Sequence, residues 1–219
     1  IIIKWMDQIK NNAKSIYLLG DIFDFWFEYK KVVPKGFIRI LGKIAELNDS
    51  GISIHIITGN HDLWMKDYFK EELGVNVYHK DTIIYEQNKK ILIGHGDGLG
   101  RGDYIYKALR LMFNSNICQW LFARLHPNLA LSIAHKWSIK SREKNKHIEG
   151  VSDILFDYCK KEQKINPIDY YIFGHRHLPV EKKIDKNSTY INTGDWISYN
   201  TYVELCNGKA RLKKFKYYK

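Results

Sequence analysis

Proline, cysteine and long apolar runs are all scarce in this chain, and each scarcity removes a class of protein. Four prolines in 219 residues, with no low-complexity stretch and no internal repeat, exclude a polyproline or linker-like chain. Three scattered cysteines, Cys118, Cys159 and Cys206, lack CxxC spacing. That excludes a disulfide scaffold and favours a reducing compartment. No apolar run approaches the roughly 18 residues of a spanning helix. Acidic residues are short as well: 24 Asp and Glu stand against 35 Lys and Arg, a formal charge of +11. Such an excess calls for an anionic partner, whether nucleotide, nucleic acid or acidic membrane surface. Asp-x-His occurs nowhere.

What remains is a chain with 45 % hydrophobic residues, enough for one core with a sizeable insertion. Ile2, Trp5, Met6, Ile9 and Ala13 recur at helical spacing with no initiator Met and no capping residue ahead of them, so the chain is expected to open inside an amphipathic helix, with a first strand upstream. A strand is expected at Ile16–Leu19, a helix at Phe37–Leu47, a buried strand at Ile52–Thr58 and a helix at Met65–Leu73. Strands follow at Val75–Tyr78, Thr82–Glu86 and Lys90–Ile93, the last two joined by a hairpin turn at Gln87-Asn88-Lys89. From Leu99 to Gly150 the pattern turns helical (Tyr104–Phe113, Ile117–Leu125, Leu129–Lys140), with a break at Pro127. After a helix at Val151–Glu162, strands return at Tyr170–Phe173, Thr189–Asn192 and Tyr202–Leu205. The expected organisation is an α/β core (1–98 and 151–219) interrupted by a helical lid insertion (99–150).

Chemistry concentrates where strands end. Four apolar runs pass through a glycine into metal-type ligands: GDIFD (Asp21, Asp24), GNHD (Asn60, His61, Asp62), GHGD (His95, Asp97) and GHRH (His175, His177). Open α/β folds place their sites at that edge. Carboxylates, an amide oxygen and imidazoles on short loops suit two divalent ions that clamp a phosphoryl oxygen and its attacking water. Asp21 has two oxygens with which to bridge such ions. His61 is the candidate general acid, with Asp62 orienting its ring. Asp24 and Asp97 are expected to steady the ligands by hydrogen bonds. His55, His79, His126 and His135 are left outside the site.

The combined pattern GDxxD, GNHD, GHGD, GHxH resembles the calcineurin-like metallophosphoesterases. That resemblance implies a four-layer α/β/β/α sandwich, and one metal site from Asp21, Asn60, His95 and His175. A second site would use Asp21, His177 and a D-x-H pair on a preceding strand, absent from this chain. GDIFDFWFEY, GNHDLW, GHGDGLGRGD, SREKN and FGHRHLP are similar to the UDP-2,3-diacylglucosamine pyrophosphohydrolase family of lipid A biosynthesis. Membership would imply water attack on a pyrophosphate, UMP and 2,3-diacylglucosamine 1-phosphate as products, and two Mn²⁺ ions. It would place the chain in the cytoplasm, peripheral on the anionic inner-membrane surface, with no nucleic acid as partner. Implied substrate contacts are Asn60, His61, Asp103, Ser141, Asn145 and His175. Two positions depart from the family pattern: His61 stands where some members have Arg, and Ile148 where the family has Lys. Between Arg101 and His147, nine Lys or Arg against two acids interleave with apolar residues, as suits an amphiphile with an anionic head. A phosphodiesterase acting on nucleotides or nucleic acid, and a non-catalytic scaffold, are the alternative readings.

Overall fold

The computed structural model describes residues 1–99, 110–145 and 154–217, with only the backbone described at 139–145. Ten strands form three sheets among the described residues. The first is parallel and has the order β1 (Ser15–Leu19), β2 (Ser53–Ile57), β3 (Asn76–Tyr78). The second is mixed. Its strands are β4 (Thr82–Glu86), β5 (Lys89–Gly94), β6 (Tyr170–Phe173), β7 (Val180–Lys183) and β8 (Thr189–Asn192), in the order β4-β5-β6-β8-β7. A two-stranded ribbon pairs β9 (Thr201–Cys206) with β10 (Lys209–Lys214).

Alternation along the strands builds the layers, because successive side chains leave a strand on opposite faces. On β1, Ile16 and Leu18 meet the outer helices, while Tyr17 and Leu19 turn toward the second sheet. On β2, Ile54 and Ile56 face the helices and Ile57 faces inward. Ile91, Ile93 and Ile172 of β5 and β6 fill the space between the sheets. Leu92, Tyr171 and Phe173, on the opposite face, pack with Leu155 and Cys159 of the helix Ile154–Ile165. Helices α1 (Ile2–Ile9) and α2 (Ile38–Asp49) cover the first sheet through Trp5, Met6, Leu41, Ile44 and Leu47. The result is an α/β/β/α sandwich, as the motif pattern implied. Each fully buried Ile of these layers contributes on the order of 2–3 kcal/mol.

Several boundaries differ from the sequence expectation for identifiable reasons. The helix expected over Met65–Leu73 contracts to α3 (Tyr68–Glu71). Trp64 is held extended by a parallel bridge to Phe27, and the Tyr68 amide donates to the Glu28 carboxylate at 3.1 Å. The β4–β5 turn is tighter than expected: Gln87 and Asn88 both have positive φ (49° and 59°), the two-residue type I′ geometry. Beyond the second sheet's first hairpin, residues 110–113 are helical, the rest of the helix expected at Tyr104–Phe113 lying outside the described residues. After them come α4 (Asn116–Phe122) and α5 (Pro127–Asn145). Pro127 starts α5 rather than breaking it, because its missing N–H is harmless at a first helical position. The helix Ile154–Ile165 is α6. Strands β7 and β10 carry Lys-rich, largely exposed sequences that hide the alternation of a strand.

Candidate metal centre

The four glycine-entered loops meet. The loops after β1 and β2 neighbour each other because those strands pair in register, Leu19 opposite Ile57. The loops after β5 and β6 do so through Gly94 opposite Phe173. The face-to-face sheets then bring the two pairs together around His95, which is 2 % exposed. Its Nε2 lies 3.3 Å from Asp21 Oδ2, 3.2 Å from Asn60 Oδ1 and 3.2 Å from His175 Nδ1. Its Nδ1 faces the Leu19 carbonyl oxygen at 2.8 Å.

Close approach explains the glycines. A Cβ on Gly20, whose φ is +81°, would sit 2.5 Å from His95 Nδ1. One on Gly59 would sit 2.3 Å from Asp21 Oδ1. Either methyl would occupy the space in which the polar cluster assembles. Asp21, His175 and His177 themselves have positive φ, at 52°, 63° and 55°. Non-glycine residues held there store strain, which clusters at functional sites.

Charge distributes unevenly over these groups. Burial works against an ionised Asp21, but the His95 charge and hydrogen bond and the His61 amide outweigh it, holding the carboxyl well below its usual range. Burial likewise works against a charged His95, yet Asp21 wins and the imidazole is raised to about 10. His175 goes the other way, to about 4, through burial and the neighbouring His95 charge. The Asp21–His95 contact thus favours the charged form of both partners, while His175 beside them is biased toward the neutral form.

The donor set fits a divalent ion of the borderline class: two imidazoles, a carboxylate and an amide oxygen. The 3.2–3.3 Å distances from His95 Nε2 to the other three lie between the about 2.8–3.1 Å of octahedral and the about 3.3–3.6 Å of tetrahedral neighbours on an ion bonded at about 2.0–2.2 Å. Among the described residues, no three or more His, Cys, Asp and Glu side chains stand as a ready-made cation cage.

Around this centre the remaining expected residues take defined positions. The His61 amide donates to Asp21 Oδ1 at 2.9 Å, and its ring is 6 % exposed, 5.8 Å from the Trp137 ring. Asp62 was expected to aim that ring. Its two oxygens instead accept the Gly59 and Ile22 amides, at 2.6 and 2.8 Å, lashing the first two loops together. Burial and the neighbouring Asp21 charge push Asp62 up to about 7. Asp97 is buried, with Arg110 Nη1 at 3.0 Å from its carbonyl oxygen and 3.4 Å from its carboxylate. Asp24 is exposed. His177 stands at the rim, its Nδ1 3.5 Å from Asp195 Oδ2. Ser141 and Asn145 fall within α5 but their side chains, like the whole of Asp103 and the segment around Ile148, lie outside the described residues.

Sequence reasoning missed Asp81, Arg110 and Asp195. Asp81 is raised to about 6 by burial and by the charge of Asp97. Asp81 and Arg110 follow no glycine, and Asp195, though it follows Gly194 just past β8, stands there as a single acid with no other metal-type residue beside it. A cavity of about 260 Å³ adjoins the centre, with Asn60 and His61 on one side and Phe25, Trp64, Phe122 and Trp137 among its apolar walls.

Comparison with known proteins agrees with this architecture. The chain is 38 % identical over 216 residues to a UDP-2,3-diacylglucosamine hydrolase of Porphyromonas gingivalis, covering 91 % of this chain and 82 % of the relative. It is 29 % identical over 210 residues to a protein of that name from Histophilus somni, covering 94 % and 88 %. A third of that name, from Aliivibrio fischeri, is 27 % identical over 216 residues, covering 97 % and 89 %. The sequence profile described as calcineurin-like phosphoesterase matches residues 1–179, which include all four loops. The chain belongs to the calcineurin-like phosphoesterase family.

Proposed function

We propose that this chain hydrolyses the pyrophosphate of UDP-2,3-diacylglucosamine, releasing UMP and 2,3-diacylglucosamine 1-phosphate for lipid A biosynthesis. The observation that carries the reading is the cavity beside the metal loops. Nucleic acid would ask for stacking rings in a positively charged groove. This chamber instead mixes Leu63, Ile133 and Ala134 with its rings and has no Lys or Arg among its described lining residues, which suits acyl chains. The names of the relatives support the same substrate.

Asp21, Asn60, His95 and His175 would hold one divalent ion, and Asp21 and His177 would contribute to a second; Mn²⁺ suits the donor set. When bound, such ions supply Lewis acidity to phosphoryl oxygens and lower the pKa of water. The protein's own groups do the rest. Asn60 presents its amide oxygen without adding charge. His61, on the cavity wall, donates a proton to the departing phosphate oxygen or hydrogen-bonds a phosphoryl oxygen. Asp62 keeps the Gly59–Asp62 turn closed against Ile22, fixing where His61 stands. The aromatic walls exclude water from the acyl chains and leave the anhydride at the loop edge.

Residues 99–150 would form the lid over this chamber. Aromatic contacts tie its described helices to the core: Phe122 lies 4.8 Å from Phe27 and 5.0 Å from Trp64, and Phe113 lies 5.6 Å from Trp64. Ile117, Trp120, Leu121 and Leu129 are more than half exposed, and the Arg124 guanidinium lies over Trp120 at 4.7 Å. Such a face suits an anionic membrane surface. Among the described residues no helix is long and apolar enough to cross one.

The test is Mn²⁺-dependent UMP release from UDP-2,3-diacylglucosamine, run beside an aryl phosphodiester, with and without EDTA. The reading expects strong preference for the lipid nucleotide and loss of turnover on chelation. Turnover of the aryl ester alone would remove the lipid assignment.

A further inference from the structure

We infer that Asp195 is a positioning residue for His177. It fixes the ring tautomer and heading that let His177 Nε2 bind a cation. The inference rests on the reading of His177 as a metal ligand and adds the group that orients it.

Strand register brings the two residues together. Strands β6 and β8 are parallel neighbours with Phe173 opposite Asn192, so the chain after each strand leaves on the same edge. His177 follows Phe173 by four residues and Asp195 follows Asn192 by three. The loops are also tied directly: Asn192 Nδ2 donates to the Gly174 carbonyl, and the Thr193 amide donates to the Phe173 carbonyl at 2.8 Å.

The Asp195 carboxylate is held before His177 meets it. Oδ1 accepts three backbone amides, from Ile197, Ser198 and Tyr199, at 3.0, 2.6 and 3.1 Å. That leaves Oδ2 aimed outward, 3.5 Å from His177 Nδ1, with the Asp195 side chain 12 % exposed. At 3.5 Å the pair is an electrostatic contact, longer than a formed N–H···O bond. A carboxylate there still favours Nδ1–H, which leaves the Nε2 lone pair free. Metal-binding histidines commonly have such a partner on their other nitrogen, and its loss typically costs 10–100-fold in affinity. His95 shows the same device, with the Leu19 carbonyl on its Nδ1. His177 needs the help more: its side chain is 42 % exposed and its backbone has φ +55°, so little else holds it.

Asp195→Asn separates orientation from capping. Its remaining oxygen can still accept the three amides, while an NH₂ replaces the oxygen facing His177. In the metal-free protein at pH 8, imidazole ¹⁵N shifts should report Nδ1–H for His177 in the wild type and Nε2–H in Asp195→Asn. Mn²⁺ titration should show affinity for the ion at His177 about tenfold lower for Asp195→Asn, with the ion of the His95 site and the melting temperature in EDTA unchanged. Added to His177→Ala, the same change should cost nothing further. Asp195→Asn binding Mn²⁺ like the wild type, while His177→Ala loses it, would reduce Asp195 to a loop cap and overturn the inference alone. Full Mn²⁺ binding by His177→Ala would overturn the ligand assignment and the inference together.

Discussion

His95 Nδ1 lies 2.8 Å from the carbonyl oxygen of Leu19, which pins the central imidazole of the site to the last residue of a strand in the other sheet. Its Nε2 is thereby committed to Asp21, Asn60 and His175. Without metal the ring is raised to about 10, because Asp21 outweighs the cost of burial. The sign follows from linkage: this group's contribution to stability is fully present below its ordinary value of about 6.5 and is lost as pH rises through about 10. In EDTA, the wild-type melting temperature should therefore fall between pH 7 and pH 10 more than that of His95→Gln. Metal binding reverses the preference, since the ligand must be neutral. Mn²⁺ affinity should rise with pH from 6.5 to 8, by up to about tenfold per unit for one displaced proton. A flat titration series across that range would remove His95 from the ligand set. Turnover by His95→Ala or Asp21→Ala should fall below detection.

Gly59 makes a second, purely steric test. A methyl there would press to 2.3 Å from Asp21 Oδ1 and 2.5 Å from the Asp21 amide. Gly59→Ala should destabilise the metal-free protein by about 1–3 kcal/mol and abolish Mn²⁺ binding. Gly42, inside α2, provides the contrast, for its Cβ would meet nothing within 4 Å. Gly42→Ala should stabilise by about 0.5–1 kcal/mol and leave Mn²⁺ binding unchanged. Urea unfolding with Mn²⁺ titration of both variants checks the pair. Equal outcomes for the two would show that the glycine at the loop is not there for space.

Strand-end loops were the legible part of this molecule. A buried strand writes itself as an apolar run, and the glycine after it marks where backbone passes close to a functional side chain. Asp21, Asn60, His95 and His175 were found that way and lie in one contact set. Asp62 accepts the Gly59 amide inside its own loop and the Ile22 amide of the neighbouring one, and the second tie is illegible because sequence order holds no cross-loop distances. Arg110 is illegible for the same reason, whereas Asp195 carries the strand–glycine–acid signal at Gly194-Asp195 but without a second ligand-type residue beside it. Left-handed backbone at Asp21, His175 and His177 was illegible too, since residue type alone does not ask for it. The helix expected at Met65–Leu73 failed where the tertiary bridge Phe27–Trp64 overrode local periodicity.

Arg110 links the helical segment to the metal loops and can be tested by stability. Asp97 is 4 % exposed, and the nearby Asp81 is already raised to about 6. Removing the guanidinium leaves two close acids without their cation. Arg110→Ala should cost about 1–3 kcal/mol, less than a fully buried pair would because Arg110 is partly solvated. Arg110→Lys should recover part of that by charge but not the contact to the Asp97 carbonyl. The Ala variant's deficit should shrink as pH falls through about 6, where Asp81 takes up its proton and no longer needs the guanidinium. Chemical unfolding at pH 5 and pH 8 measures it, and a pH-independent deficit would point to lost packing rather than charge.

Filling the cavity separates chain binding from phosphate chemistry. Ile133 lines it while remaining half exposed, so a larger side chain can enter without breaking the core. Ile133→Trp should raise KM for UDP-2,3-diacylglucosamine by about tenfold, worth about 1.4 kcal/mol of uniform binding. It should leave kcat nearly unchanged, and it should not affect hydrolysis of a short aryl phosphodiester that never enters the chamber. The split matters because a variant that merely loosened the lid would slow both substrates. Equal loss on both substrates would return the cavity to a packing defect and leave the substrate assignment without its structural support.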